Sequence, residues 1–348
     1  MANLLSSSTG ASGATLRWAV QSGQAPRPPC ALDSSERPRG DGGAGPVNEG
    51  QVQVSREAPK RTVDVVVLTM NDRDEEFRTA MSSVLAQEGV DLRVVIVGNG
   101  VEPDYVPDGV QSVTLAENTG IPEGRNVGAD ALAAHGAEFV LFFDNDAVLP
   151  TSDTISRLIA EFDRHPRAAY VQPRIADPAT GQTLGRWVPR LRSGDARRSG
   201  VVTVMAEGIV LVRRADYEKV GGWPGHFFLF HEGVDLSWRL WDLGRVGWYA
   251  GDIEVHHPAT NPARHKPFYR MVARNRVWVA RRRLPAPLIP VYLAAWILIS
   301  IWRFRSSGNL GVWFRGFAEG LRGGAGERRA MSWRTVWRLT LAGRPPIV

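Results

Sequence analysis

The 348-residue chain has a single cysteine, Cys30. One thiol excludes an intramolecular disulfide framework and any zinc site built on several thiolates. It also fits a reducing compartment. Long apolar runs are equally scarce. The one sizeable stretch, Leu288–Trp302 (LIPVYLAAWILISIW), covers 15 residues. As a helix it spans about 22 Å, short of the roughly 30 Å hydrocarbon core of a bilayer, and Pro290 shortens the usable helix further. A multi-span membrane protein is therefore excluded. No basic start followed by an apolar core opens the chain, and Arg17 interrupts the only mildly apolar stretch there, so no secretory signal is expected. No G-x-G-x-x-G follows the first apolar run, which argues against a dinucleotide-dependent dehydrogenase.

What is present is an ordinary globular composition, 43% hydrophobic and 22% charged. That excludes a wholly disordered chain and a collagen-like fibre. The length suggests roughly two domains. Residues 1–60 are rich in Ser, Gly, Pro, Ala and Gln without apolar periodicity, and they are expected to be disordered. From residue 61 to 263 the pattern is that of a folded α/β domain. From 264 to 348 there are 17 Lys and Arg against 2 Asp and Glu, a net charge of +15. The rest of the chain carries 25 basic and 34 acidic residues, a net of −9. An acidic body with a strongly basic tail points to a polyanionic partner, either an anionic membrane surface or nucleic acid.

Within the body, VDVVVLT (63–69), DLRVVIVG (91–98), VTLA (113–116) and AEFVLFF (137–143) read as strands. DEEFRTAMSSVLAQ (74–87) and PEGRNVGADALAAHG (122–136) read as helices, the second entered through Pro122 and closed by Gly136. This alternation predicts βαβ units and a mostly parallel sheet. Ligands of such sheets sit at the carboxyl ends of the strands.

The fourth strand runs directly into Asp144-Asn145-Asp146. In extended chain, residues two apart point the same way, so both carboxylates can converge on one site. Their repulsion calls for neutralisation, by a hard divalent cation with a substrate phosphate completing its shell. A solvated turn is the alternative. The first strand ends at Thr69, followed by Asn71 and Asp72, and the second ends near Asn99. These polar groups can hydrogen-bond a nucleobase or ribose, or serve as plain turn residues. Gly124, Arg125 and Asn126 open a helix, and a helix start with an Arg is a natural diphosphate site. Farther on, Glu232 and Asp235 lie three apart at the entry of a helix that Gly244 stops. One can act as base and the other as orienter, or both can simply favour the helix dipole. His256 and His257 follow a strand-like segment, VGWYAGDIEV, and imidazole is a common metal ligand.

In order, these segments are VVVLTMND, VVIVGNG, ENTGIPEGRNVG, FFDNDA, GIVLVRR, VGGW, FFLFHEGVDLSWRL and VHH. Together they resemble the family 2 glycosyltransferases of the GT-A fold, over about residues 62–260. YRMVARNRVWVARRRLP (269–285) continues the likeness to bacterial cell-surface polysaccharide and rhamnosyl-type transferases. The resemblance implies an inverting transfer of a sugar from a nucleotide-diphospho-sugar. It implies that Asp144 and Asp146 bind Mg²⁺ or Mn²⁺, with His257 or His256 completing the site. It places Thr69, Asn71, Asp72 and Asn99 at the nucleoside, and Gly124, Arg125, Asn126 and Asp144 at the sugar-diphosphate. It puts Glu232 and Asp235 in the acidic motif that supplies the base. Two positions depart from the family pattern. Gly98 stands where an Asp is usual before Asn-Gly, and Gly233 stands for the middle acid of Glu-Asp-x-Asp. With Gly233 there, the base role is expected to fall to Glu232, with Asp235 holding the geometry. Trp187 and Arg190 are placed in an acceptor loop by analogy.

In the tail, Leu288–Trp302, LGVWFRGFAEGL (310–321) and MSWRTVWRLTL (331–341) mix Trp and Leu with Arg. That pattern predicts helices at a membrane surface. A buried helical subdomain is the alternative, and long uncharged runs serve nucleic-acid phosphates poorly, so no nucleic acid is expected. The leading expectation is a metal-dependent transferase on the cytoplasmic membrane face, acting on a lipid-linked or cell-wall glycan. A catalytically degenerate membrane-binding module and a nucleotidyltransferase are the other readings. The latter would want a glycine-rich phosphate loop that TMNDRDEEF lacks. Donor sugar, linkage and oligomeric state are left open.

Overall fold

The buried β-branched run 61–69 is the middle of a mostly parallel sheet. A computed structural model describes residues 60–347 other than 262, 264–266 and 306–307; the expected N-terminal segment, Lys60 apart, lies outside the described residues, as does Cys30. Eight strands are named in chain order: β1 (Arg61–Thr69), β2 (Val90–Asn99), β3 (Gln111–Leu115), β4 (Phe139–Phe143), β5 (Ala168–Ala176), β6 (Gly200–Val202), β7 (Ile209–Arg213) and β8 (Val246–His256). They lie in the order β3-β2-β1-β4-β7-β5-β8-β6. β1 is parallel to both β2 and β4, and β2 is parallel to β3. β7 is antiparallel to β4 and β5.

Side chains along β1 alternate between two cores, as strand geometry demands. Val63, Val65 and Val67 meet Phe77, Met81 and Val84 of helix α1 (Asp74–Leu85) and Ile155, Leu158 and Phe162 of α3 (Thr154–Arg164). Val66 on the other face meets Ala129 of α2 (Ile121–Ala131) and Leu236 and Leu240 of α5 (Glu232–Asp242). Between them, α4 (Arg214–Lys219) follows β7. The helix predicted over 122–136 thus ends at Ala131 and gives way to a 3-10 turn at Ala133–His135. Gly124 of α2 lets that helix approach β1, since a Cβ there would lie 2.6 Å from Leu68 Cδ2.

The basic tail forms four helices, α6 (Phe268–Arg283), α7 (Leu288–Phe304), α8 (Leu310–Arg322) and α9 (Trp333–Leu341). They build a third core in which Trp278, Val279, Leu284, Tyr292, Met331 and Leu339 pack on Phe227, Trp238 and Trp241. Many tail arginines are engaged inside the protein. Arg282 and Arg283 bind Asp235, Arg338 donates to the carbonyl of Trp241, and Arg276 stacks 3.3 Å over Trp296. The described residues of the sheet domain and of the tail belong to one compact unit. Among the described residues, no helix is long and apolar enough to cross a membrane.

Candidate active site

The site forms beyond the carboxyl end of β4, near the middle of the sheet. β4 delivers Asp144 and Asp146 beyond its last residue, Phe143. An antiparallel bridge between Val148 and His256, with N–H···O bonds of 2.9 Å in both directions, ties that loop to the end of β8. This brings His257 onto the two carboxylates. Its Nε2 lies 3.1 Å from Asp146 Oδ1 and 3.6 Å from Asp144 Oδ2. The ligand atoms of Asp144, Asp146 and His257 all lie within 4.8 Å of one another. His257 Nδ1 is 2.8 Å from the carbonyl of Pro258, which can only accept. In the neutral ring that leaves the Nε2 lone pair facing the carboxylates, the arrangement of a metal-ligating histidine. Two carboxylates and one imidazole therefore fit a divalent cation.

Positive charge surrounds the pair. Arg125, from the second turn of α2, reaches Asp144 Oδ1 at 2.9 Å, and Arg73 pairs with Asp146. Burial pushes the Asp144 carboxyl up, but His257 and Arg125 outweigh it and hold the group below its usual range. Arg125 Nη1 is buried and has no protein partner. An orphaned guanidinium nitrogen beside a metal-type triad suits a phosphate oxygen.

Two adjoining cavities meet at this point. One, of about 290 Å³, is lined by Thr69, Asp72, Asn99 and Asn145. The other, of about 490 Å³, is lined by Trp187, Glu207, Glu232 and the inner side of α6 and α7. Arg125, Asp144 and His257 border both.

The structure separates the residues singled out from the sequence. Thr69, Asp72, Asn99, Arg125, Asp144, Asp146, His257 and Glu232 line the cleft. His256 turns instead to Glu254, 3.0 Å away. Asn71, at φ 57°, binds the 102–104 loop through Glu102 O and Asp104 N. Asn99 also holds the turn at Thr119 and Gly120. The Asn126 amide is occupied by Tyr217, Glu123 and the backbone of Trp223. Gly98 has no room for a side chain, because a Cβ there would lie 2.1 Å from Val101 O. Trp187 packs edge-on to His257 with ring centres 5.9 Å apart, whereas Arg190 lies over Tyr249.

Asp235 is the clearest correction. It faces away from the cleft and is 0% exposed, held by Arg239, Arg282 and Arg283. Burial raises its carboxyl, but these guanidiniums outweigh that and hold it well below the usual range. It joins α5 to α6 through these ion pairs. Glu232 does border the cavity, at 1% exposure, with Oε2 lacking a partner. Burial pushes its pKa up to about 7, with Asp144 adding to the rise and Arg125 opposing it.

Glu207 and Arg73 were not among the residues singled out from the sequence. Glu207 precedes β7 in MAEG, which has no motif spacing. Its signal is topological: β7 runs antiparallel to β4 with Ile209 opposite Phe143. The start of β7 therefore lies beside the Asp144–Asp146 loop. The sequence could have offered this only if that antiparallel pairing had been read.

The fold is of the GT-A α/β type found in glycosyltransferases. Residues 64–221 match the family model described as glycosyl transferase family 2. Among solved structures, GalNAc-T7 with UDP, GalNAc and Mn²⁺ is similar with a TM-score of 0.52 and 14% identity, over 68% of this chain and 50% of that one. This chain therefore spans half of that protein's length. TarS 1-349 of S. aureus is similar with a TM-score of 0.52 and 15% identity, over 75% of this chain and 80% of that one. Its complex with UDP gives a TM-score of 0.50 at 17% identity, over 71% and 74%. These likenesses establish the fold. No curated protein sequence matches the chain.

Proposed function

We propose that the protein transfers a sugar, with inversion, from a nucleotide-diphospho-sugar to a lipid-linked or cell-wall glycan at the cytoplasmic face of the membrane. The observation that carries this reading is the cleft itself. A metal-type triad and an orphaned arginine nitrogen lie between a polar cavity and a second, partly apolar one. The polar side, with Thr69, Asp72 and Asn99, suits a nucleoside. Arg125 is placed to hold the diphosphate. Asp144, Asp146 and His257 would hold Mg²⁺ or Mn²⁺, and that ion would offset the charge of the departing diphosphate.

Helix α7 supports the choice of acceptor. Trp296, Ile299, Ser300 and Arg303 wall the cavity. Val291, Leu298 and Trp302 emerge on the opposite side, 49%, 68% and 69% exposed. One helix thus presents one face to the cleft and an apolar stripe to its surroundings. Such a stripe suits the interfacial layer of a bilayer, with flanking arginines at anionic headgroups. An acceptor carried on a lipid would reach the cleft along the same helix.

The test is turnover of a panel of nucleotide sugars by the purified full chain with Mn²⁺ or Mg²⁺, with and without lipid-linked acceptors. Metal-dependent release of nucleoside diphosphate is the expected result. Absence of both donor binding and turnover across the panel would refute the reading.

A further inference from the structure

Two carboxylates outside the metal triad, Glu207 and Glu232, line the acceptor side of the cleft, and a third, Asp235, lies behind it; the structure treats them differently. Asp235 is fully buried and neutralised by three arginines. Glu232 is 1% exposed, its free oxygen enclosed. Glu207 is half-buried and opens into the larger cavity.

Glu207 is also held in place. Its Oε1 accepts the N–H of Gly233 at 2.8 Å, in the first turn of α5. An N–H from a helix start favours the ionised carboxylate and fixes its orientation. The contact needs the bare glycine. A Cβ at position 233 would lie 2.6 Å from Glu207 Cγ and 3.0 Å from Oε1. Gly233 and Glu207 therefore form one arrangement, in which the acid missing from α5 is supplied from the start of β7. The β4–β7 register places that carboxylate beside the Asp144 loop.

We propose that Glu207 is the general base of the sugar transfer, an assignment that rests on the glycosyltransferase reading above. The acceptor hydroxyl oxygen forms a bond to the anomeric carbon with its lone pair, from the face opposite the diphosphate. The bond from that carbon to the diphosphate oxygen breaks, and its electron pair leaves with the diphosphate. The hydroxyl proton passes to Glu207 Oε2, since Oε1 is tied to Gly233. The resulting carboxylic acid returns its proton to water after product release. Burial and the neighbouring Glu232 carboxylate raise Glu207 well above an ordinary glutamate, which makes it a stronger proton acceptor once ionised.

The experiment compares wild type, Glu207→Gln and Glu207→Asp as full-length chains, using the donor that wild type turns over. Turnover, donor affinity by calorimetry, and melting temperature are all measured. The amide oxygen of glutamine can still accept the Gly233 N–H, so Glu207→Gln should fold. Its kcat should fall at least about a hundredfold, the usual contribution of a general base, with donor Kd within about threefold of wild type. Glu207→Asp keeps the charge and should recover part of the loss. Two results would overturn the assignment: a Glu207→Gln kcat within about threefold of wild type, or equal losses in Gln and Asp arising only from weaker donor binding. A wild type that neither binds nor turns over any donor would instead overturn the transfer reading itself, and the base with it.

Discussion

Asp235 offers the sharpest test of whether the structure or the sequence motif assigns its role. Its Oδ1 accepts from Arg282 Nε at 2.9 Å and Arg283 Nε at 2.8 Å. Its Oδ2 accepts from Arg239 Nε at 2.8 Å and Arg283 Nη2 at 3.1 Å. Asp235→Asn keeps the shape but leaves three buried guanidiniums without their counter-charge. Breaking a buried ion pair by removing one partner costs about 3–5 kcal/mol. The described residues of the compact unit lie between 60 and 347, and at roughly 2.1 cal/mol/K per residue the unfolding entropy is about 0.6 kcal/mol/K. The melting temperature should therefore fall by about 5–8 °C. The loss should depend on pH in a defined sense. The folded carboxyl is held below its unfolded value, so its stabilisation is complete above about pH 4 and is lost as pH falls from there. Wild type and variant should converge in acid and differ most near neutrality. Scanning calorimetry across pH, with donor turnover at 25 °C, provides the assay. Turnover of the folded variant should stay within about threefold of wild type. An unchanged melting temperature with abolished turnover would restore Asp235 to the chemistry and refute the ion-cluster account.

Asp146→Ala removes one member of the metal-type triad and frees Arg73. Mn²⁺ affinity, read by electron paramagnetic resonance, should weaken by more than the roughly 10–100-fold typical of outer-shell changes, and EDTA should abolish wild-type turnover. Gly233→Ala places a methyl group 2.6 Å from Glu207 Cγ; kcat should drop at least about tenfold while thermal stability changes by about 1 kcal/mol or less, as steady-state kinetics and calorimetry would show. Leu298→Asp with Trp302→Asp alters two side chains that are 68% and 69% exposed. Stability should stay within about 0.5 kcal/mol per site, while co-sedimentation with anionic vesicles falls severalfold; unchanged sedimentation would count against a membrane-facing α7.

The strands and helices of the first half were legible because their signals are local. VDVVVLT and AEFVLFF are short β-branched or aromatic apolar runs of strand length, and the Asp144–Asp146 pair follows from where β4 stops. His257 could be preferred over His256 only once the Val148–His256 bridge set which ring turns inward. Asp235 shows the same limit of local signals. Spacing of three on α5 puts it near Glu232 along the helix axis, but its partners come from Arg282 and Arg283, far along the chain. The basic tail is the same lesson at larger scale. Its net charge of +15 reads as an anion-seeking surface, yet Arg276, Arg282, Arg283 and Arg338 are occupied by internal contacts with an aromatic ring, a carboxylate and a carbonyl. Composition gives the sum of charges but not their pairing.

The tail also determines whether the cleft has its shape at all. The loop before α5 holds three non-glycine residues at positive φ: Phe228 at 68°, Phe230 at 71° and His231 at 66°. Each such residue costs on the order of 1–3 kcal/mol and persists only where neighbours over-determine it. Here the neighbour is α6. The Asn275 amide nitrogen donates to the carbonyls of Phe227, Leu229 and Phe230 at 3.0, 2.7 and 2.8 Å. The loop lines the cavity with Leu229, Phe230 and His231 and leads straight into Glu232. Asn275→Ala removes all three contacts; the Phe227 carbonyl keeps Arg274 Nη2 and the Leu229 N–H at 2.9 and 2.8 Å, whereas a buried carbonyl that loses its donor costs about 1–3 kcal/mol unless it turns to solvent. Relaxation of the strained residues should make up part of that loss by letting the loop leave its present path. Global melting should therefore change by only a few degrees. Amide exchange over residues 226–232 should accelerate at least about tenfold, and kcat should fall by a similar factor as the cavity wall shifts. If exchange in that loop stayed at the wild-type rate, α6 would not be its clamp. The basic tail would then be an appendage to the catalytic domain rather than part of its site.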